Sequence, residues 1–363
     1  MSNAYANAGV DTEAGERAVA LMKASVLAAS RPEVVGDFGG FAGLFDASAL
    51  KNFRKPLLAT GTDGVGTKVV IAQRMGVHHT IGIDLVAMIA DDIVVCGAEP
   101  LFLTDYIATG KVDPQVVADI VRGVAEGCRL AGMALIGGET AEHPGVMQPG
   151  EYDVAGAGTG VVEADELLGA HRVQSGDVLI GMAASGLHSN GYSLARHVLL
   201  GEAGQRAGLA LDKQVDLLGR TLGEELLEPT RIYSLDVLAL AKSLGPQLHS
   251  MSHITGGGIA ANIARVLPEA LAADVERGSW QTPAVFDLIA EVGEVGSKDL
   301  EATFNLGLGM VAIVDPAAVD SALALLNERG VRASVVGSVR ERESGESGDA
   351  AAKGGKGGAV SLR

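Results

Sequence analysis

A glycine-rich stretch between two apolar runs sets the strongest constraint on how this chain can fold. Residues 59–68 read ATGTDGVGTK, and the short apolar runs on both sides predict a tight loop between two regular elements. Gly64 and Gly66 would let the backbone approach a ligand closely, while Asp63 and Lys68 offer a carboxylate for a metal and an ammonium for a phosphate. The combination suits a nucleotide polyphosphate with Mg²⁺.

Neither common phosphate-binding motif fits this stretch. A P-loop requires Gly-Lys-Ser/Thr, whereas the order here is Gly66-Thr67-Lys68. The dinucleotide-binding pattern requires a third glycine where Val69 stands. The stretch is therefore either a different kind of phosphate loop or simply a turn.

Length and composition indicate a two-domain α/β or α+β enzyme. The chain has 363 residues, of which 47% are hydrophobic, 4% are aromatic and 50 are glycine, so we expect an aliphatic core with many tight turns. A change to a loop-like composition places the domain boundary near residue 170, giving domains 1–170 and 171–340. The Gly/Ala/Ser/Lys/Glu-rich segment 341–363 predicts a disordered tail.

The charge and the cysteine content exclude several classes of protein. A net charge of −17 and a pI near 4.9 argue against binding to nucleic acid or to an anionic membrane. Only Cys96 and Cys128 are present, so no disulfide framework exists and a cytoplasmic location is expected. Residues 81–103 form the most apolar region, but acidic residues interrupt it, so we predict neither a membrane span nor a signal peptide.

Two further carboxylates are candidate metal ligands. Residues 80–83 predict a strand, after which Asp84 would cap a helix that carries Asp92. Acidic residues two turns apart on one helix are separated by about 10 Å, so Asp92 would need a carboxylate from another element, such as Asp63. Glu139 follows a buried strand at the edge where α/β proteins place ligands, although a solvated turn would also explain it.

The N-terminal region contains a candidate lid and a candidate lysine. Residues 37–46 alternate glycine with phenylalanine, which predicts a lid that orders over a ligand or, alternatively, a packed surface loop. Asp11 or Thr12 can cap a helix that runs to about Ser30. Lys23 on this helix either extends into solvent or points at an anionic site.

Two polar loops in the second half are candidate anion sites. His188, Ser189 and Asn190 precede a predicted helix, whose first amides could hold an anion, although helix capping by Ser189 or Asn190 is the alternative. Residues 253–258 read HITGGG before another helix. Three consecutive glycines exceed what one turn requires, so we favour phosphate binding there.

The order of the motifs resembles one family. The chain resembles phosphoribosylformylglycinamidine cyclo-ligases, also called aminoimidazole ribonucleotide synthetases, in the segments YANAGVDTEAG, GGFAGLFD, GTDGVGTK, TIGIDLVAM, CGAEPLFLTDYIATGK, GGETAEHPG, YDVAGAGTGVVE, GLHSNGYSL, HITGGGIAANIARVLP and TFNLGLGMV. These segments cover nearly everything between residues 5 and 340, and jointly they are specific.

The resemblance implies a reaction. Members of this family use ATP and Mg²⁺, with K⁺ as a candidate further ion, to convert formylglycinamidine ribonucleotide into aminoimidazole ribonucleotide with release of ADP and phosphate. The reaction belongs to de novo purine biosynthesis and is expected to pass through an iminophosphate. Phosphoryl transfer of this kind needs positioning and charge neutralisation, which suits carboxylates, metal, lysines and backbone amides.

The resemblance also implies roles for individual residues. Metal binding falls on Asp63, Asp92 and Glu139, and catalysis on His188, His253, Lys23 and Asp63. Lys23 and Lys68 would face phosphate oxygens, while the nucleotide would also contact Gly39, Gly40, Phe41, Gly43, Gly64, Gly66 and Asp92. The phosphorylated substrate would be held by Ser189, Asn190, Thr255, Gly256, Gly257 and Gly258.

The family fold consists of two α/β domains, each with a mixed sheet and helices on one side. The resemblance implies a homodimer in which the N-terminal sheets form a shared barrel. One departure from the family pattern is Asp91, where asparagine is usual. An extra negative charge there would alter metal or nucleotide affinity.

Two alternatives remain open from the sequence. Selenophosphate synthetase, thiamine-monophosphate kinase and the hydrogenase-maturation dehydratase belong to the same superfamily and share its ATP chemistry. A protein of another class, a non-catalytic nucleotide-binding scaffold, could also keep this fold. Retention of Asp63, Asp92, Glu139, His188 and His253 together argues against the scaffold.

Overall fold

Two sheets organise the part of the chain that this computed structural model describes, which comprises residues 12–36 and 39–363. The N-terminal unit contains residues 1–93 and 98–164, and the C-terminal unit contains residues 94–97 and 165–363. The boundary at residues 164/165 thus precedes the predicted position near residue 170. The predicted helix cap at Asp11 and the first two residues of the predicted lid, 37 and 38, lie outside the described residues.

The N-terminal unit is built on a four-stranded mixed sheet. Its strands are β1 (Val34–Val35), β2 (Leu44–Phe45), β3 (Pro56–Gly64), β4 (Glu99–Thr109), β5 (Ala134–Glu142) and β6 (Tyr152–Glu163). Its helices are α1 (Thr12–Ala28), α2 (Val69–Met75), α3 (Thr80–Val94) and α4 (Pro114–Ala131). The order is β3-β6-β4-β5, with only the β4–β5 pair parallel, and β1 and β2 form a separate antiparallel pair.

The ends of α4 follow directly from its sequence. The Asp113 side chain accepts hydrogen bonds from the Gln115 and Val116 amides, and Pro114 occupies the first turn. Gly132 ends the helix with φ 73°, a conformation that glycine adopts without strain. Both ends of this helix are thus set by residues next to them in the sequence.

The glycines of β6 allow α3 to lie close to the sheet. A Cβ on Gly158 would lie 2.6 Å from Ile89 Cγ2, and one on Gly160 would lie 2.6 Å from Ile93 Cγ2. Small residues along a strand indicate that another part of the structure approaches it closely. On this face, the close neighbour is a helix of the same unit.

Two predicted elements differ in the structure. Residues 80–83 begin α3 instead of forming a strand, and the supposed loop is strand β3 up to Gly64, followed by a 3₁₀ turn at Gly66–Lys68. Most of α3 is buried. A helix that is apolar all round lacks the 3.6-residue periodicity, so its first residues resemble a short buried strand.

The C-terminal unit is built on a six-stranded mixed sheet. Its strands are β7 (Val178–Ala183), β8 (Gln214–Val215), β9 (Arg220–Thr221), β10 (Leu248–His253), β11 (Leu271–Val275), β12 (Leu308–Val314), β13 (Ala333–Glu341) and β14 (Ala359–Leu362). The helices are α5 (Tyr192–Leu200), α6 (Glu202–Arg206), α7 (Leu222–Leu226), α8 (Ser234–Leu244), α9 (Gly258–Arg265), α10 (Ala284–Gly293), α11 (Ser297–Thr303) and α12 (Val319–Glu328). The large sheet has the order β10-β12-β7-β13-β11-β14, and β8 pairs with β9.

Apolar side chains cover both faces of this sheet, which corrects the expectation of helices on one side. Leu179 of β7 packs in one core cluster with Ile263 of α9. The next residue, Ile180, packs in a second cluster with Val237 of α8 and Leu326 of α12. Successive strand residues point to opposite faces, so the large sheet is buried between two helical layers.

The C-terminal segment is ordered, which corrects the prediction of a disordered tail. Residues 359–362 form β14, which pairs in parallel with β11 at the edge of the sheet. Arg340 binds both Asp274 and Glu346, and Leu362 donates its amide to Asp349. The low-complexity composition of this segment gave no sign of its short apolar strand. That strand is stabilised by pairing with a distant part of the chain.

No helix among residues 12–36 and 39–363 combines the length and the apolar character that crossing a membrane requires.

Candidate functional site

One row of paired residues crosses the N-terminal sheet and carries two carboxyl groups. Asp63 of β3 pairs with Gly156 of β6, which pairs with Asp105 of β4, which pairs with Gly138 of β5. Directly paired residues point to the same face of a sheet. A Cβ on Gly156 would lie 3.1 Å from Ile89 Cδ1 of α3, so this row faces the helices.

Asp105 is a buried acid that the sequence interpretation missed. Its side chain is 8% exposed, and its Oδ2 atom has no hydrogen-bond partner within the described part of the chain. Burial raises the pKa of Asp105 to about 7, because a charged carboxylate is poorly solvated there. The sequence signal that could have identified Asp105 is an acidic residue at an inward-facing position of an otherwise apolar strand.

Asp63 and Asp92 stand on two elements that pack against each other. The Asp63 Oδ1 atom accepts the Gly64 amide at 2.7 Å. Gly61 of the same strand lies against Ile89 and Ile93 of α3, the helix that carries Asp92. Asp92 is exposed, so a divalent ion with its own phosphate ligands can reach it.

Glu139 does not join these two carboxylates within one chain. It pairs with Tyr106, the residue after Asp105, so its side chain points to the opposite face from Asp63. Strands β3 and β5 are the two edges of the sheet, about 14 Å apart at the usual strand spacing. Among the described residues, no three His, Cys, Asp or Glu side chains form a group that could hold a metal.

Lys68 is not presented to a ligand, which corrects its predicted contact with phosphate. Its side chain is fully buried, and its Nζ atom lies 2.9 Å from Asp84 Oδ1 and 2.8 Å from Asp84 Oδ2. Asp84 is equally buried. A buried ammonium needs a close carboxylate to offset its desolvation, and Asp84 of α3 provides it.

The predicted lid is exposed at residues 39–41 and packs against the sheet at Gly43 and Phe45. Gly39, Gly40 and Phe41 are exposed. At the other end, a Cβ on Gly43 would lie 2.3 Å from the Ile136 carbonyl oxygen of β5, and the Phe45 ring lies 5.2 Å from that of Phe102. The segment is therefore anchored beside the strand that carries Glu139. Lys23 is exposed on α1.

In the C-terminal unit, His188 is held in an unusual backbone conformation. It is 1% exposed and has φ 63°, a region that residues other than glycine rarely adopt. The Ser185 amide donates to His188 Nε2 at 3.1 Å. A ring nitrogen that accepts a hydrogen bond carries no proton, so neutral His188 carries its proton on Nδ1.

Glycine makes the position of His188 possible. A Cβ on Gly309 of β12 would lie 2.6 Å from His188 Cε1 and 2.0 Å from the Tyr233 hydroxyl. That hydroxyl donates to the Ala183 carbonyl at 2.8 Å. The absence of a side chain at Gly309 therefore makes room for a histidine and a tyrosine.

The predicted phosphate loop begins where β10 ends. His253 is the last residue of that strand and is 6% exposed. Thr255 follows, and Gly257 and Gly258 both have positive φ, at 100° and 74°. The Asn262 amide group donates to the carbonyls of Thr255 and Gly258, at 3.1 and 2.8 Å, which fixes the loop at the start of α9.

The two polar loops of this unit lie next to each other. A Cβ on Gly256 would lie 3.4 Å from Asn190 Oδ1. Asn305, which the sequence interpretation did not select, donates to the Gly186 carbonyl at 3.0 Å and accepts the Gly307 amide at 2.8 Å. The HSNG loop, the TGGG loop and the start of β12 thus form one polar region.

Two cavities have linings that include none of the predicted site residues. One of about 470 Å³ in the C-terminal unit is lined by residues that include Ser185, Arg220, Glu225, Trp280, Gln281 and Arg332. Another of about 500 Å³ in the N-terminal unit is lined by residues that include Gln73, His78, Lys111, Asp113 and Tyr152. The predicted ligand contacts lie instead on strands, on loops and on exposed helix positions.

The fold and the sequence together place the chain in the class of AIR synthase related proteins. Residues 46–162 match the model of the AIR synthase related protein N-terminal domain, and residues 174–349 match that of the corresponding C-terminal domain. The solved thiamine-monophosphate kinase from Stenotrophomonas maltophilia has a TM-score of 0.62 at 18% identity, covering 95% of each chain. The hydrogenase maturation protein HypE in complex with ATP has a TM-score of 0.61 at 18% identity, covering 91% of this chain and 87% of its own. These identities establish the fold alone.

Two relatives share a much higher sequence identity with this chain, and they identify its family within the class. The phosphoribosylformylglycinamidine cyclo-ligase of Geobacillus sp. is 50% identical over 343 residues, which is 94% of this chain and 97% of that protein. That of Anaeromyxobacter dehalogenans is 50% identical over 347 residues, 95% of this chain and 98% of that protein. The chain therefore belongs to the phosphoribosylformylglycinamidine cyclo-ligase family, and the predicted resemblance and two-domain fold are confirmed.

Proposed function

We propose that this protein is an ATP- and Mg²⁺-dependent ligase that closes the imidazole ring of formylglycinamidine ribonucleotide. The products are aminoimidazole ribonucleotide, ADP and phosphate, and the pathway is de novo purine biosynthesis. The observation that carries the proposal is 50% identity over 94% of the chain to a protein with that name. The HypE structure, which shares the fold, contains ATP, and this supports ATP as the phosphoryl donor.

The chemistry requires that a formamide oxygen become a leaving group. The γ-phosphoryl group of ATP is transferred to the formyl oxygen, and the formamide nitrogen loses its proton to give an iminophosphate. An amidine nitrogen then attacks the same carbon, and phosphate leaves with the original formyl oxygen. The attacking nitrogen also loses a proton, so the site needs a hydrogen-bond donor for the oxygen and an acceptor for protons.

We assign these two tasks to the histidines of the C-terminal unit. Neutral His188 carries its proton on Nδ1, because Nε2 accepts the Ser185 amide. It therefore suits the role of donor that orients the formyl oxygen. His253, at the end of β10, then serves as the proton acceptor, a task for which imidazole is suited near neutral pH.

The same unit would hold the substrate phosphate. The amides of Gly256, Gly257 and Gly258 stand at the start of α9, where the helix dipole favours an anion. The Thr255 hydroxyl adds a further donor, and Ser189 and Asn190 flank the group from the adjoining loop. The close approach of Gly256 to Asn190 supports one shared substrate region.

The N-terminal unit would hold the nucleotide. Asp63 and Asp92 are the carboxylates that would bind Mg²⁺ together with phosphate oxygens, since Mg²⁺ commonly takes one or two carboxylates and completes its shell with phosphate and water. When bound, the metal supplies charge neutralisation for phosphoryl transfer. Phe41 and the glycines at positions 39, 40, 43, 64 and 66 would contact the nucleotide, and Lys23 and Glu139 remain proposed contacts on the exposed surface.

We further propose a cytoplasmic homodimer. Leu58 is 65% exposed and Tyr106 is 41% exposed, and both point to the face of the sheet opposite to Asp63 and Asp105. An exposed face with large hydrophobic side chains supports pairing of two N-terminal sheets face to face. No disulfide joins Cys96 and Cys128, which is consistent with a reducing compartment.

The test is direct turnover. The protein is incubated with formylglycinamidine ribonucleotide, ATP, Mg²⁺ and K⁺, and aminoimidazole ribonucleotide, ADP and phosphate are measured. Equal amounts of the three products support the proposal, and omission of K⁺ tests the monovalent ion. Nucleotide binding without turnover would instead indicate a scaffold. Phosphorylation of thiamine monophosphate would indicate the kinase activity of the structural relative.

A further inference from the structure

The C-terminal segment follows helix α9 and is fixed to it by backbone contacts. The Lys353 amide donates to the Ala261 carbonyl at 3.2 Å, and the Gly358 amide donates to the Ala264 carbonyl at 3.1 Å. A Cβ on Gly357 would lie 2.0 Å from the Ala264 oxygen, so only glycine fits there. These contacts hold the KGGKGG sequence of residues 353–358 against one side of the helix.

This path brings one lysine to the TGGG loop. The Lys353 Nζ atom lies 3.5 Å from Thr255 Oγ1. Thr255 is 7% exposed and is the first residue of the loop. Within the described residues, no carboxylate forms an ion pair with Lys353, whose exposed side chain reaches the loop from solvent. A flexible ammonium beside a row of backbone amides completes the set of donors that a phosphate group accepts.

We propose that Lys353 binds the phosphate of the ribonucleotide substrate, as a contact that the C-terminal segment adds to the TGGG loop. The inference rests on the proposed function of that loop. Lys353 donates to a phosphate oxygen while the amides at the start of α9 bind the others. Because the whole chain has a net charge of −17, a local cation also offsets the repulsion that a dianionic phosphate meets on approach.

The segment supplies its own matched control. Lys356 lies three residues further along the same glycine-rich sequence and is exposed, and no described contact links its ammonium to the TGGG loop. Lys353→Gln and Lys356→Gln therefore remove the same charge from the same segment. A difference between the two variants reports the position of the ammonium and not the net charge of the protein.

Steady-state kinetics on the full chain tests the proposal. We expect Lys353→Gln to raise KM for the ribonucleotide about tenfold, the size expected for one charge-assisted hydrogen bond to phosphate. KM for ATP should not change, and the loss should fall on KM more than on kcat. Lys353→Arg should recover most of the affinity. Equal KM values for Lys353→Gln and Lys356→Gln would overturn the proposal.

A second measurement separates phosphate binding from a folding defect. With the dephosphorylated ribonucleoside as substrate, wild type and Lys353→Gln should have the same kcat/KM, because the group that Lys353 binds is missing. A defect of Lys353→Gln that persists with the ribonucleoside would contradict the proposal. Failure of wild type to turn over either compound would instead contradict the proposed function, so the two failures are distinguishable.

Discussion

The two sheets of this chain hold the polar residues around their candidate sites in different surroundings. In the N-terminal unit, the buried charged or acidic side chains of Lys68, Asp84 and Asp105 lie on a 3₁₀ turn, a helix and a strand. In the C-terminal unit, His188 and Thr255 are also buried, but they lie on loops that follow strands. Buried charges tie a site to the stability of its unit, whereas loops shaped by glycine let chemistry vary with less effect on folding. The two units should therefore respond differently to substitution.

The largest effect is expected on turnover when Asp63 loses its charge. Asp63→Asn keeps the volume of the side chain but removes a proposed metal ligand, so we expect kcat to fall about 10³-fold. The midpoint of chemical unfolding should change far less. Unchanged activity at saturating Mg²⁺ would remove Asp63 from the metal site.

Loss of the buried lysine should act mainly on stability. Lys68→Met removes the cation that faces the buried carboxylate of Asp84, which we expect to lower the free energy of unfolding by about 3 kcal/mol. Denaturant titration at neutral pH measures this change. As control, the double variant Lys68→Met/Asp84→Leu should recover most of the loss, because no charge remains buried. An equally unstable double variant would show that the ion pair is not the cause.

The C-terminal unit should show the opposite pattern. His253→Ala removes the proposed proton acceptor, so we expect kcat to fall about 10²-fold with little change in ATP affinity. Equilibrium titration with ATP, alongside the rate measurement, separates the two effects. If nucleotide binding fell in parallel with kcat, His253 would belong to the nucleotide site.

A smaller effect concerns the pH dependence of stability. Asp105 has a raised pKa of about 7 in the folded protein, so between its unfolded pKa and pH 7 the folded state binds more protons than the unfolded state. Its contribution to stability is full at low pH and is lost as pH rises, by about 2 kcal/mol between pH 5 and 7. Asp105→Asn removes this contribution.

The measurement is denaturant unfolding of wild type and Asp105→Asn at both pH values. The free energy of unfolding of Asp105→Asn relative to wild type should increase by about 2 kcal/mol from pH 5 to pH 7. A constant difference between the two proteins would show that Asp105 titrates normally. Such a result would weaken the contrast between a charged N-terminal core and a loop-based C-terminal site.

Local sequence signals predicted those features that depend on neighbours in the chain. The ends of α4 followed from Asp113, Pro114 and Gly132, whose cap geometry is local. The TGGG loop likewise precedes a helix as expected. Family motifs, which combine many weak local signals, predicted the overall fold.

Features that depend on distant partners could not be predicted in this way. Lys68 was assigned to phosphate because nothing in its neighbourhood showed that Asp84 of α3 would pair with it. Glu139 was grouped with Asp63 although the strand order places them at opposite edges. The final strand became visible only through its pairing with β11. In each case the missing information was sheet order or long-range packing.

The most direct test of the proposed chemistry follows one oxygen atom. Substrate labelled with ¹⁸O in the formyl group is converted by the wild-type protein with ATP, Mg²⁺ and K⁺, and the phosphate released is analysed by mass spectrometry. If the formyl oxygen is phosphorylated before the ring closes, the label appears in inorganic phosphate. Label recovered in water, with unlabelled phosphate, would contradict the phosphorylation step on which the account depends.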